Sequence, residues 1–174
     1  MLTKYFFLVL YTLFAKWLPP SSYPIIGGLS SRIRYQCCKR IFFFCGKRVN
    51  VERGASFGNG FKLSIGDDSG LGRYCKVPSS ITIGKDVMIA PNLYIVDVNH
   101  SFDDPTLPMR LQGIKKSKAV VIEDDVWIGR NVIIGAGRTI RKGSIIAAGT
   151  VLIKDFPEYS IIGGNPSILI KMRR

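Results

Sequence analysis

Residues 122–153 read IEDDVWIGRNVIIGAGRTIRKGSIIAAGTVLI, with a branched or long aliphatic residue at every sixth position: Ile122, Ile128, Ile134, Ile140, Ile146 and Leu152. A period of six fits neither the roughly 3.6-residue helix nor simple strand alternation. Self-similarity at a fixed period marks a solenoid whose repeats stack to share one core. Working outward, Ile65, Leu71, Val77, Ile83, Ile89 and Ile95 keep the same spacing, with a looser preface at Val51 and Phe57.

Each repeat runs aliphatic, often glycine, two polar or turn residues, then a small or β-branched residue, as in Ile83-Gly84-Lys85-Asp86-Val87-Met88. Such a unit suits a short strand and a tight turn. The aliphatic residue points inward, and the glycine is expected to supply backbone dihedrals closed to other residues. Three such sides close a triangular coil of about eighteen residues. With parallel strands about 4.8 Å apart, some five coils make a prism roughly 25 Å long.

Six-residue repeats of this composition resemble those of the hexapeptide-repeat acyltransferases, over about residues 49–172. The resemblance implies a mainly β fold, a left-handed parallel β-helix with an N-terminal helical segment and one extruded loop. The general crossover rule favours the right hand, so handedness comes from the likeness and not from the period. The expected division is an apolar and basic segment over 1–48, then the β-helix over 49–172 with its loop at 96–118.

A chain of 174 residues with 47% hydrophobic residues suits one domain with appendages. The formal charge of +13 fits nucleic acid, an anionic membrane or a polyphosphorylated ligand. The basic residues are scattered through the N-terminal third, the loop near Lys115 and a tail holding Lys171, Arg173 and Arg174, with no nucleic-acid module, so nucleic-acid binding ranks low. Cys37, Cys38, Cys45 and Cys75 form no CxxC pair, and with one histidine in the chain no metal site is expected. Reduced cysteines point to the cytoplasm. Cys75 falls on a small inward repeat position, where a thiol acts as a compact hydrophobe.

Residues 5–18, YFFLVLYTLFAKWL, are too short for a confident transmembrane helix. Three readings stay open: a helix packed on the end of the solenoid or its trimer, an interfacial anchor, or a signal peptide or span. Pro19-Pro20 ends the helix. Arg32 to Arg48 mixes six basic residues with Ile41-Phe42-Phe43-Phe44, which suits peripheral contact of residues 1–48 with an anionic membrane at its inner face, or equally a basic helix burying phenylalanines on the first coil. Val96 to Lys118 breaks the period and holds the only histidine. A loop this long inside a compact fold is usually functional. Because the repeat resumes at Ile122, the loop is expected to leave the prism and return to the same edge, as an arm able to reach another subunit.

Transfer of an acyl group from a thioester to an alcohol needs a base for the hydroxyl proton and a stabilised oxyanion. Histidine titrates in the useful range, and His100 is the only one. The order His100, Asp103-Asp104-Pro105, Met109-Arg110, then Val126-Trp127-Ile128-Gly129 is similar to that of galactoside, maltose and capsule-type sugar O-acetyltransferases. That resemblance implies His100 as general base in direct transfer from acetyl-CoA, with Asn99 orienting it or the acceptor; an asparagine there is as readily a turn former. It implies Trp127 as a wall of the site or as trimer packing, with Asp103, Met109 and Arg110 on the substrate side. It also places Arg130, Ala148, Lys154 and Lys171 along a coenzyme A groove, and Lys154, Pro157 and Gly164-Asn165-Pro166 in a closing signature. A homotrimer is implied, each site lying between the loop of one subunit and the groove of the next.

Some residues depart from the pattern. Arg138 occupies a place usually small, Arg141 replaces a glycine, and one or both must turn outward. Gly70 and Pro78 stand where galactoside-type enzymes carry polar acceptor-binding residues, and Ile168 replaces a basic one. The expected function is O-acetylation of a sugar or glycan, in assembly of a surface polysaccharide. N-acetylation of an amino sugar or antibiotic is the near alternative, and a non-catalytic scaffold the distant one.

Overall fold

A computed structural model describes residues 1–115 and 118–173; Arg174, named in the basic tail, lies outside the described residues. Short strands stack into three parallel sheets. The first face runs Phe44–Cys45, Ser64–Ile65, Ile81–Ile83, Val120–Ile122 and Thr139–Ile140. On the second face Asn50–Val51 pairs with Gly70–Leu71, whose Gly70 amide donates to Val87 O, and Met88–Ile89, Trp127–Ile128, Ile145–Ile146 and Ser160–Gly163 follow. The third face holds Tyr94–Ile95, Ile133–Ile134 and Val151–Leu152, preceded by single bridges at Ser56 and Lys76.

The register accounts for the period. Ile65 pairs with Ile83 and Ile122 with Ile140, so one turn takes eighteen residues. Ile83 pairs with Ile122 across the interruption, so the inserted loop leaves the stacking undisturbed. The sixth-position residues from Ile65 to Leu152 are buried. So are many residues two places before them, among them Val87, Leu93, Val126, Val132 and Cys75. Each strand thus sends two side chains inward, and each large aliphatic one contributes about 2 kcal/mol. The first coil is looser because Cys45 pairs with Ile65 and Val51 with Leu71, twenty residues on; the additional turn buries Leu63.

The glycine of the repeat has a different cause from the one expected. Gly66, Gly84 and Gly129 do not take a positive φ. That conformation falls two residues later, at Asp68 (57°), Asp86 (58°), Asn92 (64°), Asp125 (55°) and Asn131 (57°), short polar residues that tolerate it. What the glycines permit is close approach of successive coils. A Cβ on Gly84 would lie 2.8 Å from the Asp124 amide nitrogen, and one on Gly129 2.6 Å from that of Ala148.

Two helices, α1 (Leu2–Leu13) and α2 (Gly27–Ile41), close the N-terminal end. Tyr11 packs on Phe57 and donates its hydroxyl to Ala55 O at 2.8 Å. Arg34 of α2 is fully buried and donates to Val51 O (2.5 Å), Leu18 O (3.2 Å) and Pro19 O (2.9 Å), with Glu52 at 3.9 Å. Glu52 in turn accepts from Ser21. Of the three readings of the N-terminus, packing on the end of the solenoid is what the contacts show. Among the described residues no helix is long and apolar enough to cross a membrane. Phe44–Cys45 already pairs with Ser64–Ile65, so the first face begins ahead of residue 49.

At the other end Phe156 packs against the last coil, and Ile168–Met172 folds back antiparallel on Ser160–Gly163. Arg138 stands in the column of Ile81 and Val120 but turns aside at this open end, reaching Ile153 O (3.3 Å) and Asp155 (3.6 Å). Arg141 is exposed and pairs with Glu123 at 3.1 Å. Both arginines are thus turned from the core.

Candidate active site

The interruption between Ile95 and Val120 is a built arm. Asn99–His100 pairs antiparallel with Ile114–Lys115, Asn99 opposite Lys115 and His100 opposite Ile114. The Ser101 amide donates to Gly113 O at 3.1 Å, continuing the ribbon. Its tip is closed by Gln112, whose amide group donates to Asp104 O and Leu107 O, both at 2.7 Å, and by Thr106, which donates to Asp104 Oδ1 through its hydroxyl (2.6 Å) and amide (2.8 Å). The Thr106 hydroxyl, followed by its amide, holds the Asp104 carboxyl below its usual pKa. Asp103 pairs with Lys115 at 3.8 Å, and Lys115 lies over the Phe102 ring. Met109–Leu111 is a short 3-10 turn, and Met109 and Arg110 are exposed.

His100 and Asn99 are exposed on this ribbon. Among the described residues no hydrogen bond or ion pair engages the His100 ring. At the root of the arm the third face opens into a cavity of about 420 Å³ lined by Ser56, Lys76, Pro78, Tyr94 and Asp97. Lys76 sits 5.2 Å from the Tyr94 ring centroid. Ser56, Lys76 and Tyr94 are in register on successive coils, so the outward positions of the third face could have signalled the cavity; Asp97 lies beyond the last repeat and carried no such signal.

The remaining residues lie elsewhere on the prism. Trp127 points outward from the second face, 49% exposed, between Met88 and Ile145 in register. Arg130 and Ala148 meet at the corner between the second and third faces, where the Gly149 amide donates to Arg130 O at 2.8 Å. Gly129 lies against the Ala148 backbone there, with no room for a Cβ of its own. Lys171 is exposed on the terminal strand of the second face, and Lys154, past the third face, lies over the Phe156 ring. The arm leaves the third face and returns to the first, so it projects at the corner opposite the second face. One chain therefore places Asn99 and His100 on the arm that rises from the cavity wall at Asp97 and Val98, and Trp127 near Arg130 and Ala148, but does not join the two sets. Gly70 faces out from the second face, Pro78 lines the cavity and Ile168 is exposed. Among the described residues no cluster of His, Cys, Asp or Glu is placed to hold a metal.

A parallel β-helix of short six-residue repeats, interrupted once by a histidine-bearing arm, defines a hexapeptide-repeat transferase. Family models agree: residues 119–154 match the bacterial transferase hexapeptide (six repeats) and residues 62–96 the hexapeptide repeat of succinyl-transferase. WbbJ of Escherichia coli, provisionally named a lipopolysaccharide biosynthesis O-acetyl transferase, is 30% identical over 82% of this chain and 83% of its own length. The galactoside O-acetyltransferase of E. coli is 31% identical over 75% of this chain, which spans 57% of that relative. The maltose O-acetyltransferase structure from Clostridium difficile superposes with a TM-score of 0.77 at 30% identity, covering 99% of this chain and 87% of the other. The Vibrio cholerae acetyltransferase VCA0836, solved with acetyl coenzyme A, gives 0.71 at 31% identity over 80% and 75%. The chain belongs to the hexapeptide-repeat acetyltransferase family, and its coil is the left-handed β-helix of those relatives.

Proposed function

We propose that the protein transfers an acetyl group from acetyl-CoA to a hydroxyl of a sugar or glycan, within a homotrimer. The observation carrying the reading is the placement of the only histidine in the sequence, exposed on a braced ribbon whose root residues Asp97 and Val98 line a polar cavity. In the reaction His100 takes the acceptor hydroxyl proton as that oxygen attacks the thioester carbon. The C–S bond then breaks, and the coenzyme A thiolate is protonated as it leaves. Asn99 beside it orients the ring or the acceptor. Ser56, Lys76, Tyr94 and Asp97 offer the donors, acceptors and ring face that a sugar needs.

Support for a coenzyme A groove comes from the second side of the prism. Trp127 gives an apolar wall, the Gly129–Ala148 corner allows close backbone approach, and Arg130 and Lys171 are exposed cations suited to phosphate. Asp103, Met109 and Arg110 are exposed on the arm, where they would meet the acceptor, and the Lys154 ammonium is an exposed cation suited to coenzyme A phosphate. Since the arm and this groove face away from each other within a chain, a neighbouring copy completes the site. Outward apolar residues on two faces, Met88, Trp127, Tyr94 and Ile133, fit such packing. The likeness to WbbJ, named for lipopolysaccharide biosynthesis, supports a glycan acceptor in surface-polysaccharide assembly.

Calorimetric titration with acetyl-CoA, paired with coenzyme A release against hydroxyl and amino sugars, tests this reading. Wild type and His100→Ala should both bind, and only wild type should turn over a hydroxyl acceptor. Turnover confined to amino sugars would move the assignment to N-acetylation, and absence of binding would sink acyl transfer altogether.

A further inference from the structure

The α1 helix buries one side and leaves the other uncovered. Tyr11 and, in part, Lys4, Phe7 and Leu8 face the prism. Leu2, Phe6, Val9 and Leu13 are 87%, 64%, 55% and 75% exposed. At about 100° per residue these four fall within a narrow stripe opposite Tyr11. Just past the helix end Phe14 and Trp17, and after the turn Ile25, are also more than half exposed. A contiguous apolar surface of this kind on a folded domain marks an interaction site.

Charge decides what covers it. Residues 1–51 contain eight Lys and Arg and no Asp or Glu, and so account for eight of the chain's formal +13. Arg34 is buried beside Glu52 and Arg48 is paired with Asp68. Lys39 and Arg40 are exposed on the outer side of α2 with Arg32. Arg40 lies 5.6 Å from the Phe7 ring centroid of α1, which brings positive charge to the seam between the helices. Trp17 just past the helix end, with Lys16 over its ring, has the amphipathic character of an interfacial anchor.

We infer that the outer face of the helical cap docks on an anionic lipid bilayer, with the Leu2, Phe6, Val9 and Leu13 stripe in the headgroup boundary and Arg32, Lys39 and Arg40 against the lipid phosphates. The helix lies on the bilayer and does not cross it, as its twelve residues require. The surface is built from the helical cap and includes no residue of the arm that carries His100, so it does not depend on acyl transfer.

Flotation of the full chain with phosphatidylcholine vesicles, with and without phosphatidylglycerol, tests the inference. Wild type and His100→Ala should float with the anionic vesicles and remain behind with the neutral ones. Phe6→Ser/Val9→Ser should abolish flotation, and Arg32→Gln/Lys39→Gln should weaken it by more than about tenfold, at roughly fivefold per charge. Far-ultraviolet circular dichroism and an unchanged melting curve establish that each variant is folded. Equal binding to both vesicle types, or flotation indifferent to either double substitution, would overturn the inference. Concentration-dependent self-association removed by Phe6→Ser/Val9→Ser, without vesicle binding, would overturn it in favour of a contact between copies.

Discussion

If the arm of one subunit meets the groove of another, two dead variants should revive each other. His100→Ala removes the proposed base on the arm, and Trp127→Ala/Arg130→Glu disables the opposite side of the prism. Co-expressed with different tags and purified through both, every trimer holds both chains. Around a cyclic ring of three, the arm-to-groove junctions then number three whichever chain is in excess. Only the junction pairing an intact arm with an intact groove can work, and each mixed trimer has one. The preparation should recover about one third of the wild-type rate per trimer, whatever the ratio of the chains. A two-fold dimer would recover about one half. A site complete within one chain would recover nothing. Coenzyme A release, read against each variant purified alone, supplies the measurement. Recovery of nothing from mixed rings that are intact by light scattering would refute the shared site, and with it the division of residues between opposite sides.

Three further outcomes follow from the packing. Ile128 is fully buried in the prism, so Ile128→Ala should cost about 2–5 kcal/mol and lower Tm by roughly 5–20 °C, as scanning calorimetry would show. Gly84→Ala drives a Cβ into the Asp124 backbone and should cost about 1–3 kcal/mol, whereas Gly149→Asn, at φ 73° with open space around it, should stay within about 1 kcal/mol of wild type in urea unfolding. Burial raises the Cys75 thiol from 9.0 to about 11. The unfolded chain then loses this proton first, so stability is present below pH about 9 and declines as pH rises toward about 11, by up to about 3 kcal/mol. Urea midpoints measured across that window should fall more steeply for wild type than for Cys75→Ala.

The fold was legible because the sheet register repeats every eighteen residues and each strand must place its aliphatic residue inside. A period survives translation into sequence, and so Ile65 to Ile95 and Ile122 to Leu152 announced the core. The cause of the glycines did not survive. A glycine required by a neighbouring coil and one required by its own φ look alike in a string of letters, and only the stacking of Gly84 on Asp124 separates them. Arg34 was read as part of a basic surface, and it is buried because carbonyls at Leu18, Pro19 and Val51 converge on it from segments distant in sequence. The arm was legible as a break in the period; its ribbon pairing and its Gln112 staple were not, since neither has a repeat to betray it.

The same rigidity that makes the solenoid readable explains why the candidate site gathers at its margins. Inside the prism the positions are filled by aliphatic side chains and a few small hydroxyls bonded to the coil backbone, as Ser69 is to Gly84 O and Thr150 to Ala147 O, and a charged group there would be costly. Ser56, Lys76 and Tyr94 can form a cavity only because they point outward from the third face. The arm carries His100 off the repeat, as the proposed reaction requires. In the proposed trimer, a scaffold that fixes outward side chains in straight rows would set a second chain against them with little freedom of its own, and holding reactants in such a fixed relation is itself a source of catalysis. On this view the arm's internal bonds matter as much as its histidine: Gln112→Ala should leave the prism's melting unchanged and lower kcat while acetyl-CoA binding persists, because the base is still present but no longer held. Equal kcat for Gln112→Ala and wild type would show that the braced tip has no part in positioning His100.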